Sequence, residues 1–301
     1  MGKLNYVMLL GWVKLVKLFD ENSGVPHAMM TVKVARADRE VGDHQPNMRM
    51  DSILVISKDP ILMKKMEQTK KFDLVLIKGA LTLIYSNKLS ICPHCGSQEI
   101  HKRCTLETVN PIDMFLLGSV SNEDEGVEFL AKHREVSNQL YVYGNLIKDP
   151  KKKYIKSRNL YMTEYPLAID RKYRVIGDQE ETDHPWVKAY GKNAESDKLY
   201  LHSGSAVIID GCLQARNYKR VSTCASCGQS YSWKDHKMEI VPYSTEYVAN
   251  YYTKDDVERI EEEKRQDAVK QVMDSLQNPY LEQLHDDMVD DVIADLDDDE
   301  I

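Results

Sequence analysis

Cys92, Cys95, His101 and Cys104 follow the spacing C-x2-C-x5-H-x2-C. Two thiolates at that spacing, with a glycine directly after the second, make a knuckle that turns both sulfurs toward one ion. Three sulfurs and an imidazole then complete a tetrahedral zinc site. His94, inside the knuckle, is the other candidate for fourth ligand. A second knuckle, Cys224-Ala225-Ser226-Cys227-Gly228, has His236 where the first has Cys104 and Trp233 where the first has His101. Asp235 or a water would have to complete that set. The spacing therefore predicts two structural zinc sites, one from Cys92, Cys95, His101 and Cys104, the other from Cys224, Cys227 and His236. Redox chemistry is the rival use of C-x2-C, but it calls for a βαβ setting that the surrounding pattern does not provide. Cys212 reads as a small buried apolar side chain.

The second group with chemical potential is cationic and aromatic. Lys151, Lys152, Lys153 and Tyr154 come first, then Arg171, Lys172, Tyr173 and Arg174, then Trp186 and Tyr190, then Arg216, Tyr218, Lys219 and Arg220. Trp233 lies beside the second knuckle. The earlier part of the chain has Arg36, Arg39, Arg49, Lys70, Lys71, Tyr85 and Lys88, with fewer rings. Cations that track phosphates, together with flat faces for bases, are what a sequence-tolerant groove for a single nucleic-acid strand needs. Each stacked base contributes about 1–3 kcal/mol, and counterion release adds a salt-dependent term. The later part of the chain is therefore expected to bind more tightly than the earlier one. DNA and RNA both offer stacking faces, and nothing in the pattern argues for base-specific readout. The sequence has no G-x4-G-K-[ST] loop, no H-E-x2-H, no nucleophile elbow and no clustered carboxylates in its body, so an enzyme is not expected.

These groups must be positioned by a repeated element. A shift of 132 residues superposes Met30-Thr31 on Met162-Thr163, Asp38-Arg39 on Asp170-Arg171 and Asp51 on Asp183. It also superposes Val75, Ile77, Gly79 and Leu81 on Val207, Ile209, Gly211 and Leu213, and the first knuckle on the second. A one-residue slip aligns Asn5-x-Val7-x-Leu9-x-Gly11 with Asn138-x-Leu140-x-Val142-x-Gly144. Alternating apolar residues predict half-buried strands, and Gly79 and Gly211 inside such runs predict bulges or barrel corners. Residues 60–69 and 193–201 have helical composition. Five short strands and one short helix per copy fit an OB-fold barrel. The expected fold is mainly β: two tandem OB-folds, residues 1–117 and 137–252, each with a zinc-knuckle insertion between strands four and five. A linker at 118–136 joins them, and 253–301 form a charged helix and an acidic tail.

The later copy resembles the bacterial and phage single-stranded-DNA-binding protein (SSB) family. The resemblance rests on Asn138-x-Leu140-x-Val142-x-Gly144-Asn145-Leu146, Asp149-Pro150, Trp186-Val187, Tyr190-Gly191-Lys192, Ala194-Glu195, Gly204-Ser205-x-Val207 and Gly211-x-Leu213-Gln214-x-Arg216-x-Tyr218. It implies a protein that coats single-stranded DNA in replication, recombination and repair, with Trp186 at a base-stacking position. Two barrels per chain, the cysteine knuckles and the composition of the tail depart from the family's usual pattern. A protein-interaction adaptor of the primosome type, or an RNA binder, is the alternative.

Charge is distributed unevenly. The whole chain carries −8 and residues 281–301 carry −10, which leaves +2 for the rest. An acidic average thus conceals a mildly basic body. Residues 253–277 predict a charged helix capped by Thr253 and ended at Pro279. Beyond it Leu284, Met288, Val292 and Leu296 recur among aspartates and lead to Asp297, Asp298, Asp299 and Ile301. That pattern suits a segment that docks on basic, grooved replication or recombination proteins. The apolar run 6–13 is too short to span a bilayer and lacks a cleavage site, so a cytoplasmic protein without a membrane partner is expected. A homodimer is compatible with two barrels per chain.

Overall fold

The computed structural model describes residues 3–20, 25–36 and 48–276. Arg39 and the tail residues Leu284, Met288, Val292, Leu296, Asp297, Asp298, Asp299 and Ile301 lie outside them. The first half runs β1 (Asn5–Phe19), β2 (His27–Arg36), β3 (Arg49–Ser57), α1 (Pro60–Glu67), β4 (Asp73–Ile91) and β5 (Gln98–Ser119). The segment expected as a linker contains α2 (Glu123–Lys132) and leads into α3 (Arg134–Ser137). The second half runs β6 (Asn138–Leu146), β7 (Lys151–Ile155), β8 (Leu160–Asp170), β9 (Thr182–Asp183), β10 (Trp186–Tyr190), α4 (Gly191–Tyr200), β11 (Ala206–Thr223) and β12 (Ser230–Ala249).

Alternation along the strands decides which side faces inward. In β6 every second residue from Asn138 to Leu146 is buried, and β1 opens the same way, with Asn5, Val7 and Leu9 buried and Tyr6 and Met8 half-buried, before a run from Leu10 to Val13 that is buried throughout. Strands β1, β2, β3, β5 and β4 close a five-membered ring, antiparallel except for β3 against β5 at Val55–Val109. Strands β6, β8, β10, β12 and β11 close a second ring, antiparallel except for β10 against β12 at Val187–Ile240. The register shifts at Lys78/Gly79 and at Asp210/Gly211. A Cβ on Gly211 would sit 2.4 Å from the Val241 carbonyl oxygen, so the close approach of the two strands there requires glycine. Each ring is plugged by a helix between its third and fourth strands: α1 buries Leu62 and Met66, and α4 buries Ala194 and Asp197. Asp59 caps α1 by accepting hydrogen bonds from the Ile61 and Leu62 backbone N–H groups, with Pro60 at the first helical position.

The rings share a seam. Antiparallel pairing of β1 with β6 matches Asn5 with Val142, Val7 with Leu140 and Leu9 with Asn138. Since Asn5 aligns with Asn138 and Leu9 with Val142, this register is reciprocal, as a two-fold relation requires. The Asn5 amide donates to the Leu81 carbonyl (2.8 Å) and accepts from the Leu81 N–H (2.9 Å). Asn138 makes the same two bonds with Leu213, at 2.8 and 3.0 Å. All four bonds are buried, so Asn138→Ala leaves a buried N–H and C=O without partners. The expected cost is about 2 kcal/mol, read as a shift in urea midpoint; an unchanged midpoint would contradict the assignment.

The strands are longer than a short-stranded barrel leads one to expect. Strands β4 and β5 have 19 and 22 residues, and β11 and β12 have 18 and 20. Beyond Leu81 and Val109, β4 and β5 pair only with each other, and so do β11 and β12 beyond Leu213 and Ile240. Each hairpin therefore leaves its ring as an arm with a knuckle at its tip.

Asp197 of α4 is fully buried and accepts from the Tyr165 (3.1 Å) and Tyr247 (2.9 Å) hydroxyls. Burial pushes its carboxyl up to about 6, against the pull of the two hydroxyls. Between the unfolded value near 3.9 and about 6, the folded protein keeps a proton that the unfolded chain has released. Stability contributed by this group is thus present at low pH and falls as pH rises through that window, by about 2–3 kcal/mol. Comparing urea unfolding of the parent and of Asp197→Asn from pH 4 to pH 7 checks this. The variant should lack that decline.

From Tyr252 the described residues belong to a second unit and contain α5 (Lys254–Leu276). Thr253 caps it: the Asp256 N–H donates to the Thr253 hydroxyl (3.2 Å), and the Asp256 carboxylate accepts from the Thr253 N–H (3.0 Å). Among the described residues no helix is long and apolar enough to cross a membrane.

Candidate nucleic-acid interface and metal centre

The two arms lie side by side, and their knuckles meet. Cys92 Sγ is 3.7 Å from Cys227 Sγ, Cys95 Sγ is 3.6 Å from Cys224 Sγ, and all four sulfurs lie within 4.8 Å of one another. A disulfide needs about 2.05 Å, and all six cysteines are free thiols. Both knuckles fold alike. Gly96 (φ 72°) and Gly228 (φ 69°) adopt the left-handed conformation, and their N–H groups donate to the Cys92 and Cys224 carbonyls at 2.9 Å each. Burial resists ionisation of Cys92, but hydrogen bonds from the His94 and Cys95 backbone and from Cys224 bring its thiol down to about 7. The Cys227 backbone favours a Cys224 thiolate, yet burial and the Cys95 and Cys227 sulfurs push Cys224 up to about 12. Thiolates this close compete for charge unless a cation joins them.

This differs from the expectation of two sites, one per knuckle. The structure gathers one set of four cysteines across the halves and leaves His101, Cys104 and His236 outside it. His101 lies flat against Trp233 (4.6 Å between centroids, 16° between planes) and hydrogen-bonds Ser90 Oγ through Nε2 at 2.7 Å. The Cys104 thiol donates to the His101 carbonyl (3.4 Å), and His236 Nδ1 lies 3.3 Å from the Asn217 amide oxygen. Burial and the charge of Lys88 hold the His236 ring below its ordinary pKa. The physical reason is strand geometry: residues in the extended arms beneath each knuckle are carried away from the turn by more than 3 Å per residue.

Cations and rings converge most densely on the second ring. Trp186, Lys188 and Tyr190 share one face of β10, because Val187 and Ala189 between them point into the core. Lys237 Nζ lies over the Trp186 ring at 4.9 Å. Lys188 (3.1 Å), Arg216 (2.9 Å) and Lys237 (3.5 Å) all reach Glu239 Oε1. Burial lowers the Lys188 pKa, and Glu239 opposes that shift. Lys153 pairs with Glu164, which Lys188 approaches at 3.8 Å. On the opposite face of β7 and β8, Lys152 Nζ lies 3.8 Å over the ring of Tyr161, which with Tyr154, Gly191 and Lys192 lines a cleft of about 500 Å³. Lys188 is buried between Glu239 and Glu164, whereas Arg216 and Lys237 reach the surface beside the Trp186 indole.

Other sequence-derived candidates lie elsewhere. Arg36 is buried against Asp51 (3.0 Å), and Arg171 is buried against Asp183 (2.7 Å) and Asp178 (2.8 Å), so both guanidinium groups are committed within the fold. Lys88 and Tyr218 bind Asp235, and Arg220 lies 3.6 Å from Asp235 and 5.7 Å from the Trp233 ring centre; with His101 these residues join the arms. Lys219 and Arg174 are exposed, Lys172 lies over Tyr173 at 5.6 Å, and Tyr85 carries Arg103 at 5.3 Å. Lys188 and Lys237 were missed. Their signal was positional, since Lys188 alternates with Trp186 and Tyr190, and Lys237 lies opposite Arg216 in the β11–β12 register.

Comparison with known proteins places this geometry. The profile of the single-strand binding protein family matches residues 137–226. Single-stranded DNA-binding protein B of Bacillus subtilis is 32% identical over 82 residues, which cover 27% of this chain and 72% of that protein. The chain belongs to the single-strand binding protein family. Single-stranded DNA-binding protein 2 of Clostridium acetobutylicum is 35% identical over 81 residues, 27% of this chain. The match spans between 56% and 60% of the length of this and two further clostridial members of the family. The crystal structure of the wild-type single-stranded DNA binding protein from Thermus aquaticus covers 83% of this chain and 96% of its own, with a TM-score of 0.54 and 15% identity. That likeness is one of fold, and it extends beyond either ring alone. The family match takes in β6 to β11, with Trp186, Lys188, Tyr190 and Arg216, and stops within the second knuckle.

Proposed function

We propose that this chain binds single-stranded DNA without strong sequence preference, as a coating protein in replication, recombination and repair rather than as a catalyst. The observation that carries the reading is the group of Trp186, Arg216 and Lys237 on the barrel that matches the family. An indole accepts any base, and the cations meet phosphates. Titration with oligo-dT tests it. Tryptophan fluorescence should change on binding, and affinity should fall as salt rises, with a log–log slope of about −0.7 per phosphate neutralised. No fluorescence change and no retention at low salt would sink the reading.

The same reading takes the two rings as tandem OB-folds from one duplicated unit. Matching pairings, paired asparagines and the 132-residue shift support it. It also assigns partner recruitment to the acidic C-terminal residues, on the strength of their sequence pattern. Removing residues 281–301 should leave oligo-dT affinity unchanged or raise it at low salt; a clear loss would count against a docking role.

A further inference from the structure

We propose that the four thiolates hold one zinc ion per chain, shared between the halves, which locks the tips of the two arms together. The observed separations fit such an ion. Zn–S bonds of about 2.3 Å in a tetrahedron place neighbouring sulfurs about 3.8 Å apart, against the 3.7 and 3.6 Å found here. The 132-residue shift takes Cys92 to Cys224 and Cys95 to Cys227, so the contacts Cys92–Cys227 and Cys95–Cys224 exchange into one another. The ion would therefore sit where the two halves are related to each other, and one ion satisfies both knuckles. Among the described residues no other group of three or more His, Cys, Asp or Glu ligand atoms converges.

The chemistry of the donor set selects the ion. Four soft sulfurs in a tetrahedron favour zinc over hard oxygen-seeking cations, and four protein ligands leave no open position, so the site is structural. Binding converts four thiols to thiolates and releases their protons to solvent. The tips need such a tie. Among the described residues the apolar cluster at the tips is small, Cys92, Cys224 and Tyr231 with Trp233 at its edge, while Ile91, Ile100 and Val221 are exposed. Polar contacts already cross between the tips in the right place. Ser97 Oγ lies 2.9 Å from Ser226 Oγ, and Glu99 accepts from the Ala225 N–H (2.5 Å) and the Tyr231 hydroxyl (2.8 Å). The inference does not depend on what the rings bind.

Metal content of the full chain, purified under reducing conditions with zinc supplied, tests the proposal. One zinc per chain is expected, and cobalt in its place should give the absorption of a tetrahedral tetrathiolate. The paired variants Cys92→Ser/Cys95→Ser and Cys224→Ser/Cys227→Ser should each fall from one ion to none, whereas His101→Ala and His236→Ala should each keep one. Two ions per chain, with one retained in each paired variant, would restore separate sites and overturn the proposal. So would a parent protein that carries iron or no metal. The count on the parent protein decides between one site and two even if a variant fails to fold.

Discussion

The double variant Trp186→Ala/Arg216→Ala is expected to bind oligo-dT on the order of 100-fold more weakly at low salt. Two separable losses produce that figure. Removing the indole takes away a stacking face worth about 1–3 kcal/mol per base. Removing the guanidinium takes away one phosphate contact, which should also flatten the salt dependence by about 0.7 in slope. Neither side chain belongs to the core: Trp186 is half-buried, Arg216 is exposed, and the inward residues of their strands are Val187, Ala189 and Leu213. The thermal midpoint should therefore move little. A double variant with parental affinity and slope would place the strand on another surface.

Asp183→Ala should be among the most destabilising single substitutions in the chain, at about 3–5 kcal/mol. Asp183 holds Arg171 through both oxygens, at 2.7 Å each, and its Oδ1 also accepts from the Leu83 N–H of the first half at 2.8 Å. Truncation leaves a buried guanidinium short of its main counter-charge and orphans a backbone donor. Asp51 does the corresponding work in the other direction, binding Arg36 and accepting from the Ala215 N–H (2.9 Å). Asp183→Asn keeps an acceptor for Leu83 and should cost less than alanine. Urea unfolding of the three proteins orders them; an alanine variant within about 1 kcal/mol of the parent would contradict this account of the buried pair.

Much of this frame was legible in the sequence because its causes are local or periodic. Alternation marks β1 and β6, and Gly79 and Gly211 mark the places where the register shifts. The composition of 193–201 points to α4, whose observed bounds are Gly191–Tyr200. Thr253 marks the start of α5. The site was legible only in part. Spacing along a chain reveals ligands that are neighbours in sequence, so each knuckle was completed with its own His101, Cys104 or His236. That the sulfurs complete one another depends on two arms lying side by side, and no short-range pattern encodes that. Arg36 and Arg171 are cationic residues of the type that grips phosphate, but burial beside Asp51 and Asp183 turns them inward. A count of charges does not reveal which carboxylate will face them.

The seam between β1 and β6 has one more effect. Because both strands belong to one polypeptide, dilution cannot part the rings, whose mutual effective concentration is set by the short connection between them. Identical subunits meeting in the same way would also have to carry every substitution twice, once on each side of their axis. A single chain escapes that rule: Trp186 and Lys188 on one side align with Leu54 and Ile56 on the other. A strand laid across both rings would be gripped firmly at one end and loosely at the other. A nearly symmetric frame thereby acquires a direction.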